Sequence, residues 1–131
     1  MNMNRTIPSL LHLFLRKLCM RIDLLRIREA YADHPLPRSI RSLSDTLDEL
    51  HVPNMVCRLE FGQLFEIEGP FVVKAGEEEY PFFLVESLDR ERQVIGLRTV
   101  AGRRLEVPFD SFRALWDGTV LLAERGEETK E

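Results

Sequence analysis

Apolar positions recur at helical spacing from near the start of the chain to about Tyr31. Leu11, Phe14, Leu15, Leu18, Ile22 and Leu25 fall on one stripe, while Leu13, Met20, Leu24 and Ile27 form a second, with Lys17, Arg21 and Arg28 beside it. The pattern predicts one helix that Thr6 or Ser9 can cap and Pro8 helps to start, running to about Tyr31 and buried on two sides. "ADHPLPRS" ends it, because Pro35 and Pro37 force an extended or turning backbone. A second helix, "IRSLSDTLDEL", follows the cap Ser39, places Ile40, Leu43, Leu47 and Leu50 on one face, and stops before Pro53.

From there the period shortens to two. "NMVCRLE", "FVVKA", "FFLVESL", "RQVIGLRTV", "RLEV" and "GTVLLAE" predict strands, and "FGQLFEIEGP" a single helical turn bracketed by Gly62, Gly69 and Pro70. "FDSFRALW" predicts a short helix, and the acidic run Glu77 to Glu79 a solvated hairpin turn. Pro81 then opens a strand, a position that tolerates the missing N–H. Helices followed by an antiparallel meander imply an α+β fold, with N-terminal helices packed on an antiparallel β-sheet. We read one domain over residues 1–124 and a polar, disordered tail over 125–131.

A chain of 131 residues is long enough to bury a core without staples. Cys19 and Cys57 make neither a disulfide framework nor a metal cluster. The net charge of -4 is uneven: residues 1–41 carry eight Lys/Arg against three Asp/Glu, and the remainder carries ten against nineteen. No aromatic residues interleave with the N-terminal arginines, so the imbalance reads as attraction between two parts of one fold rather than as a nucleic-acid surface. The most apolar window, "IPSLLHLFLRKLCMRI", contains Arg16 and Lys17 and falls short of the roughly 20 apolar residues of a membrane span. With no small-residue cleavage site after it, the expected location is the cytoplasm.

Nucleophilic catalysis needs a thiol or hydroxyl, a base within hydrogen-bond reach, and a group that orients the base. The bases on offer are His12, His34 and His51, none of them on a predicted strand, and His51 is separated from Cys57 by a helix-to-strand turn. No pair among the histidines and cysteines has zinc-site spacing, Glu77 to Glu79 lack the rest of a calcium loop, and the glycines form no phosphate-binding pattern. No cofactor is expected.

"HPLPRSIRSLSDTLDEL", the later "PFVV" and the closing "SFRALWDGTVLLAE" together resemble the bacteriocin-processing, or double-glycine leader, cysteine peptidase family. In particular they are similar to its divergent group found with exporters and in chains of vitamin K epoxide reductase type. The strongest pieces are Ser42 to Asp45 and the Leu115, Trp116, Gly118 pattern; Arg38 stands where the family often has proline. The resemblance implies a papain-like peptidase-type fold, in which a helix carries the nucleophilic cysteine at its N-terminus and an antiparallel sheet supplies histidine and aspartate. Active members cut leader peptides after Gly-Gly.

Residue by residue, the resemblance implies a degenerate site. Cys19 falls near the nucleophile's register, with Leu13 where the family has an oxyanion glutamine, Pro81 where it has histidine, and Arg98 and Thr99 where it has aspartate. Catalytic residues are therefore expected to be absent. The expected function is a non-catalytic, polypeptide-binding domain that docks a leader or export substrate, or a membrane transport or redox partner at the cytoplasmic face. The alternatives are a cysteine hydrolase with a rearranged site built on Cys19 or Cys57, and an oligomerisation domain using the second stripe of the first helix. A groove between helices and sheet would be walled by Tyr80, Phe82, Arg98 and Trp116.

Overall fold

The long N-terminal amphipathic pattern is two helices, not one: α1 spans Thr6–Lys17 and α2 spans Leu24–Ala32. The computed structural model describes residues 6–32, 39–76 and 81–124. Within them follow α3 (Ile40–Glu49), β1 (Asn54–Arg58), a 3-10 helix (Phe61–Glu66), β2 (Phe71–Ala75), β3 (Phe82–Asp89), β4 (Val94–Thr99), β5 (Arg104–Pro108), α4 (Phe109–Leu115) and β6 (Trp116–Ala123). His34, Pro35, Pro37, Arg38, the acidic turn Glu77 to Glu79, Tyr80 and the tail 125–131 lie outside the described residues.

The break after α1 dissolves the second stripe. Leu13 belongs to α1, Met20 to the connection, and Leu24 and Ile27 to α2; Met20 and Ile27 are buried, so no continuous second face is free. The first stripe holds through Leu11, Phe14 and Leu15, which are fully buried, and ends at Leu25, which is 60% exposed. α1 begins before Ser9, so that residue lies in the helix's first turn rather than at its cap. α3 starts as its sequence predicts: Ser39 is extended, and its hydroxyl accepts from the Ser42 amide at 3.1 Å.

All six strands form one antiparallel sheet in the order β1-β6-β2-β3-β4-β5. Strands β2 to β5 are the expected meander, but β6 crosses back to lie between β1 and β2, joining Leu121 to both Val56 and Val72. The sheet has a core on each face. On one, α1, α2 and α3 pack Ile7, Leu11, Phe14, Leu15, Ile27, Leu43 and Leu47 over Val72, Phe82, Leu84 and Leu121. On the other, the 3-10 helix and α4 bring Leu64 and Phe112 over Phe71, Val73, Val85, Ile95, Leu97 and Val120. Each such side chain contributes roughly 1.5–3 kcal/mol, so the helical layer is held by its apolar face rather than by its charges.

The far face carries an aromatic cap. Phe61 meets Phe65, Phe109 and Phe112 at centroid distances of 5.5, 5.1 and 6.2 Å. Arg90 sits 4.3 Å above the Phe65 ring and Arg113 5.2 Å above Phe61, so two guanidinium groups roof the cluster.

Candidate functional site

Cys19 is a helix stop. Its amide donates to Arg16 O at 2.9 Å, the Met20 amide donates to Leu15 O at 2.9 Å, and Cys19 takes φ 65°. This pair of bonds around one left-handed residue is the Schellman closure, usually given to glycine. Met20, the next residue, is buried against the core. His51 closes α3 in the same way: its amide reaches Asp48 O at 3.0 Å, the Val52 amide reaches Leu47 O at 2.9 Å, and its φ is 62°.

This corrects one expectation about Cys19. It lies not inside a helix but in the connection between α1 and α2. It stands two residues beyond the C-terminal end of α1, whose first residue is Thr6. The other thiol, Cys57, lies on β1 opposite Val120.

Leu13, Arg98 and Thr99 do come together. With Ser9, Leu10 and Gly102 they line a cavity of about 170 Å³ between α1 and the β4–β5 turn. Thr99 is occupied by that turn, its Oγ1 accepting from the Arg103 amide at 3.1 Å. Arg98 faces Leu84 across the β3–β4 ladder and is held by acceptors, donating from Nη2 to Glu86 Oε2 at 3.0 Å and from Nη1 to Gly102 O at 3.3 Å. Its Nε is buried without a hydrogen-bond partner. Lys17 Nζ reaches the same Glu86 oxygen at 3.1 Å. Burial pushes the Glu86 carboxyl up, but the hydrogen bonds and positive charges of Arg98 and Lys17 outweigh it and hold the group below the ordinary carboxylate range.

Pro81 is buried at the entrance to β3, and its carbonyl accepts from the Ala75 amide at 2.9 Å. It therefore closes the β2–β3 ladder with its acceptor alone. Neither Pro81 nor Leu13 can move a proton, and Arg98 is a permanent cation. No group of three or more His, Cys, Asp or Glu suited to a metal occurs among the described residues.

Two of the expected wall residues that are described do not share a groove. Phe82 is 0% exposed in the helix-side core, whereas Trp116 packs in the core on the opposite face, so the pleat separates them. Trp116 stacks on Phe112 at 5.3 Å and donates from Nε1 to Thr119 O at 2.9 Å. Of the expected wall residues that are described, Arg98 alone lines one of these cavities. A second, larger cavity of about 850 Å³ lies elsewhere, between the Phe65–Phe71 segment and residues 85–91 of β3 and its turn, with Lys17 on its wall. The one local signal for it was the Gly69-Pro70 break before β2.

No protein-family model matches the sequence, and no curated protein matches it. Solved structures do match in fold. The chain superposes on the peptidase domain of Streptococcus ComA, a bi-functional ABC transporter involved in a quorum-sensing pathway, with TM-score 0.77, 10% identity, and coverage of 96% of this chain and 95% of that one. It superposes equally well on a double-glycine motif protease from an AMS/PCAT transporter in complex with the leader peptide, with TM-score 0.76, 11% identity and coverage of 96% and 87%. The N-terminal peptidase C39-like domain of a toxin secretion ATP-binding protein from Vibrio parahaemolyticus matches with TM-score 0.66, 14% identity and 95% coverage of both chains. The fold is therefore that of peptidase C39 domains, α+β and papain-like. No helix among the described residues is long and apolar enough to cross a membrane.

Proposed function

We propose that this domain binds a polypeptide without cutting it, docking a leader or export substrate, or a membrane transport or redox partner, at the cytoplasmic face of the membrane. The observation that carries the reading is the set of residues at the implied reactive positions. The exposed thiol Cys19 stops α1 at its C-terminal end, Pro81 stands at the histidine's place, and Arg98 at the aspartate's place is bound to Glu86. Peptide cleavage by this fold needs a thiolate, a proton carrier and an orienting acid brought to one point. A fold kept without those three groups still offers its surfaces to a chain.

The solved relatives support the choice of ligand class. One was crystallised with a leader peptide, and two are described as parts of transporters. The oligomerisation alternative loses its surface, since Met20 and Ile27 of the second stripe are buried. Calorimetric titration of the domain with a synthetic double-glycine leader peptide tests the reading: saturable heat at micromolar peptide is expected. Absence of binding both to the leader and to an exporter's cytoplasmic domain would overturn it.

A further inference from the structure

The β3–β4 hairpin outruns the strand beside it. β2 pairs with β3 from Lys74↔Phe82 only as far as Phe71↔Val85, while β3 continues to Asp89 paired with β4 alone. Two residues cause the stop. Gly69, at φ 88°, turns the chain off the line of β2, and Pro70 has no N–H to offer a ladder. Ser87 to Asp89 are thus paired with β4 on one side, Glu86 sits at the irregularity between Val85 and Ser87, and among the described residues none of the four has a backbone partner on the β2 side. Successive residues of a strand direct their N–H and C=O groups alternately to either side, so part of this segment's backbone faces outward.

That open edge is a wall of the 850 Å³ cavity, opposite Phe65, Ile67 and Pro70. Its charges are unevenly satisfied. Glu86 is neutralised by Lys17 and Arg98, and Arg90 is spread over the Phe65 ring. Asp89 is engaged by the amides of Glu91 and Arg92. Glu91 lines the same cavity, and among the described residues its carboxylate has no ion-pair partner.

From this edge, cavity and charge we infer that residues 86–89 of β3 are a strand-addition site for an extended polypeptide segment, apolar on alternate residues and basic at the end that reaches Glu91. A row of backbone donors and acceptors at the strand repeat is matched by another backbone. Four residues at about 3.4 Å each give a contact of about 14 Å. The apolar side chains of the guest would enter beside Phe65 and Ile67, continuing the line that β2 abandons at Pro70.

This inference rests on the reading of the domain as a polypeptide binder, but its probe need not be a leader. The whole chain, labelled with ¹⁵N, is titrated with the capped hexapeptide Lys-Val-Thr-Val-Thr-Val. Saturable shifts of the amides of Glu86 to Glu91 and Ile67 are expected. N-methylation of the guest at alternate residues should weaken binding about tenfold, the worth of one backbone hydrogen bond, and at the intervening residues hardly at all. Glu91→Lys, on an exposed turn, should weaken this peptide and favour one that begins with glutamate. Absent shifts at these amides, or equal effects of every N-methyl group, would overturn the site. So would shifts that grow with protein concentration alone, which would place a second copy on the edge. A leader that binds without moving these amides removes the site and leaves the proposed function standing. Hexapeptide pairing without leader binding does the reverse.

Discussion

Arg98 Nη2 donates to Glu86 Oε2 at 3.0 Å across the β3–β4 pair, and both side chains are more than four-fifths buried. The position that resembles an orienting acid thus holds a cation, whose counter-charge comes from the neighbouring strand. Lys17 closes the set from α1 at 3.1 Å, so one carboxylate ties the helical layer to the sheet.

Glu86→Gln should cost about 2 kcal/mol at neutral pH, the typical worth of hydrogen bonds to a charged group, because Arg98 would be left partly buried without its counter-charge. The Glu86 carboxyl is held low in the folded chain, so its stabilisation is complete above the unfolded value of about 4.3 and fades as pH falls through the lower, folded value. Urea denaturation of wild type and variant at pH 7 and at about pH 3 should show the difference narrowing in acid. A constant difference would mean that packing, not charge, is what the substitution removes.

Cys19→Gly should raise stability by about 0.5 kcal/mol, since relief of the left-handed backbone slightly exceeds the added freedom of the unfolded chain. Cys19→Val should lower it by at least 1 kcal/mol, because a β-branched side chain fits φ 65° poorly. Neither change should alter peptide binding beyond its effect on folding. Chemical denaturation and the same calorimetric titration report both.

Gly118→Ala should cost about 2 kcal/mol. Its φ is 96°, and a methyl group there would meet Leu59 O at 3.2 Å, against the carbonyl-lined bend where the Leu59 amide donates to Gly118 O. Gly62→Ala is the control, with nothing within 4 Å and no unusual backbone. Thermal unfolding of the two variants should separate them clearly.

Much of this architecture could be read locally. Ser39 and the spacing of Leu43 and Leu47 define α3, and the period-two runs locate the strands, because both signals depend on neighbours in sequence. The break between α1 and α2 was hidden because Cys19 does the work of a glycine while Met20 keeps the apolar rhythm running. The placement of β6 between β1 and β2 was hidden because periodicity says which face a strand buries, not which strand it joins. The Lys17–Glu86–Arg98 set joins α1 to the β3–β4 hairpin far along the chain, and no local pattern announces it. Phe82 and Trp116 looked like one groove because their faces depend on the pleat and on the crossing of β6.

Pro81→His should leave a double-glycine peptide uncut. The new imidazole would open β3, while the one thiol in the helical layer would remain in the connection after α1 and Arg98, bound to Glu86, would still carry the wrong charge for an orienting group. The variant should also lose some stability, since Pro81 is buried. Mass spectrometry of the peptide after prolonged incubation checks the first point, and thermal unfolding the second.

The most direct test of the domain as a non-catalytic binder is to mix it at stoichiometric concentration with a double-glycine leader peptide, then follow binding by calorimetry and the peptide's mass over a day. The expected result is saturable binding with the peptide intact, unchanged in Cys19→Gly and in Cys57→Ala. Cleavage after the Gly-Gly pair that disappears in either cysteine variant would contradict it.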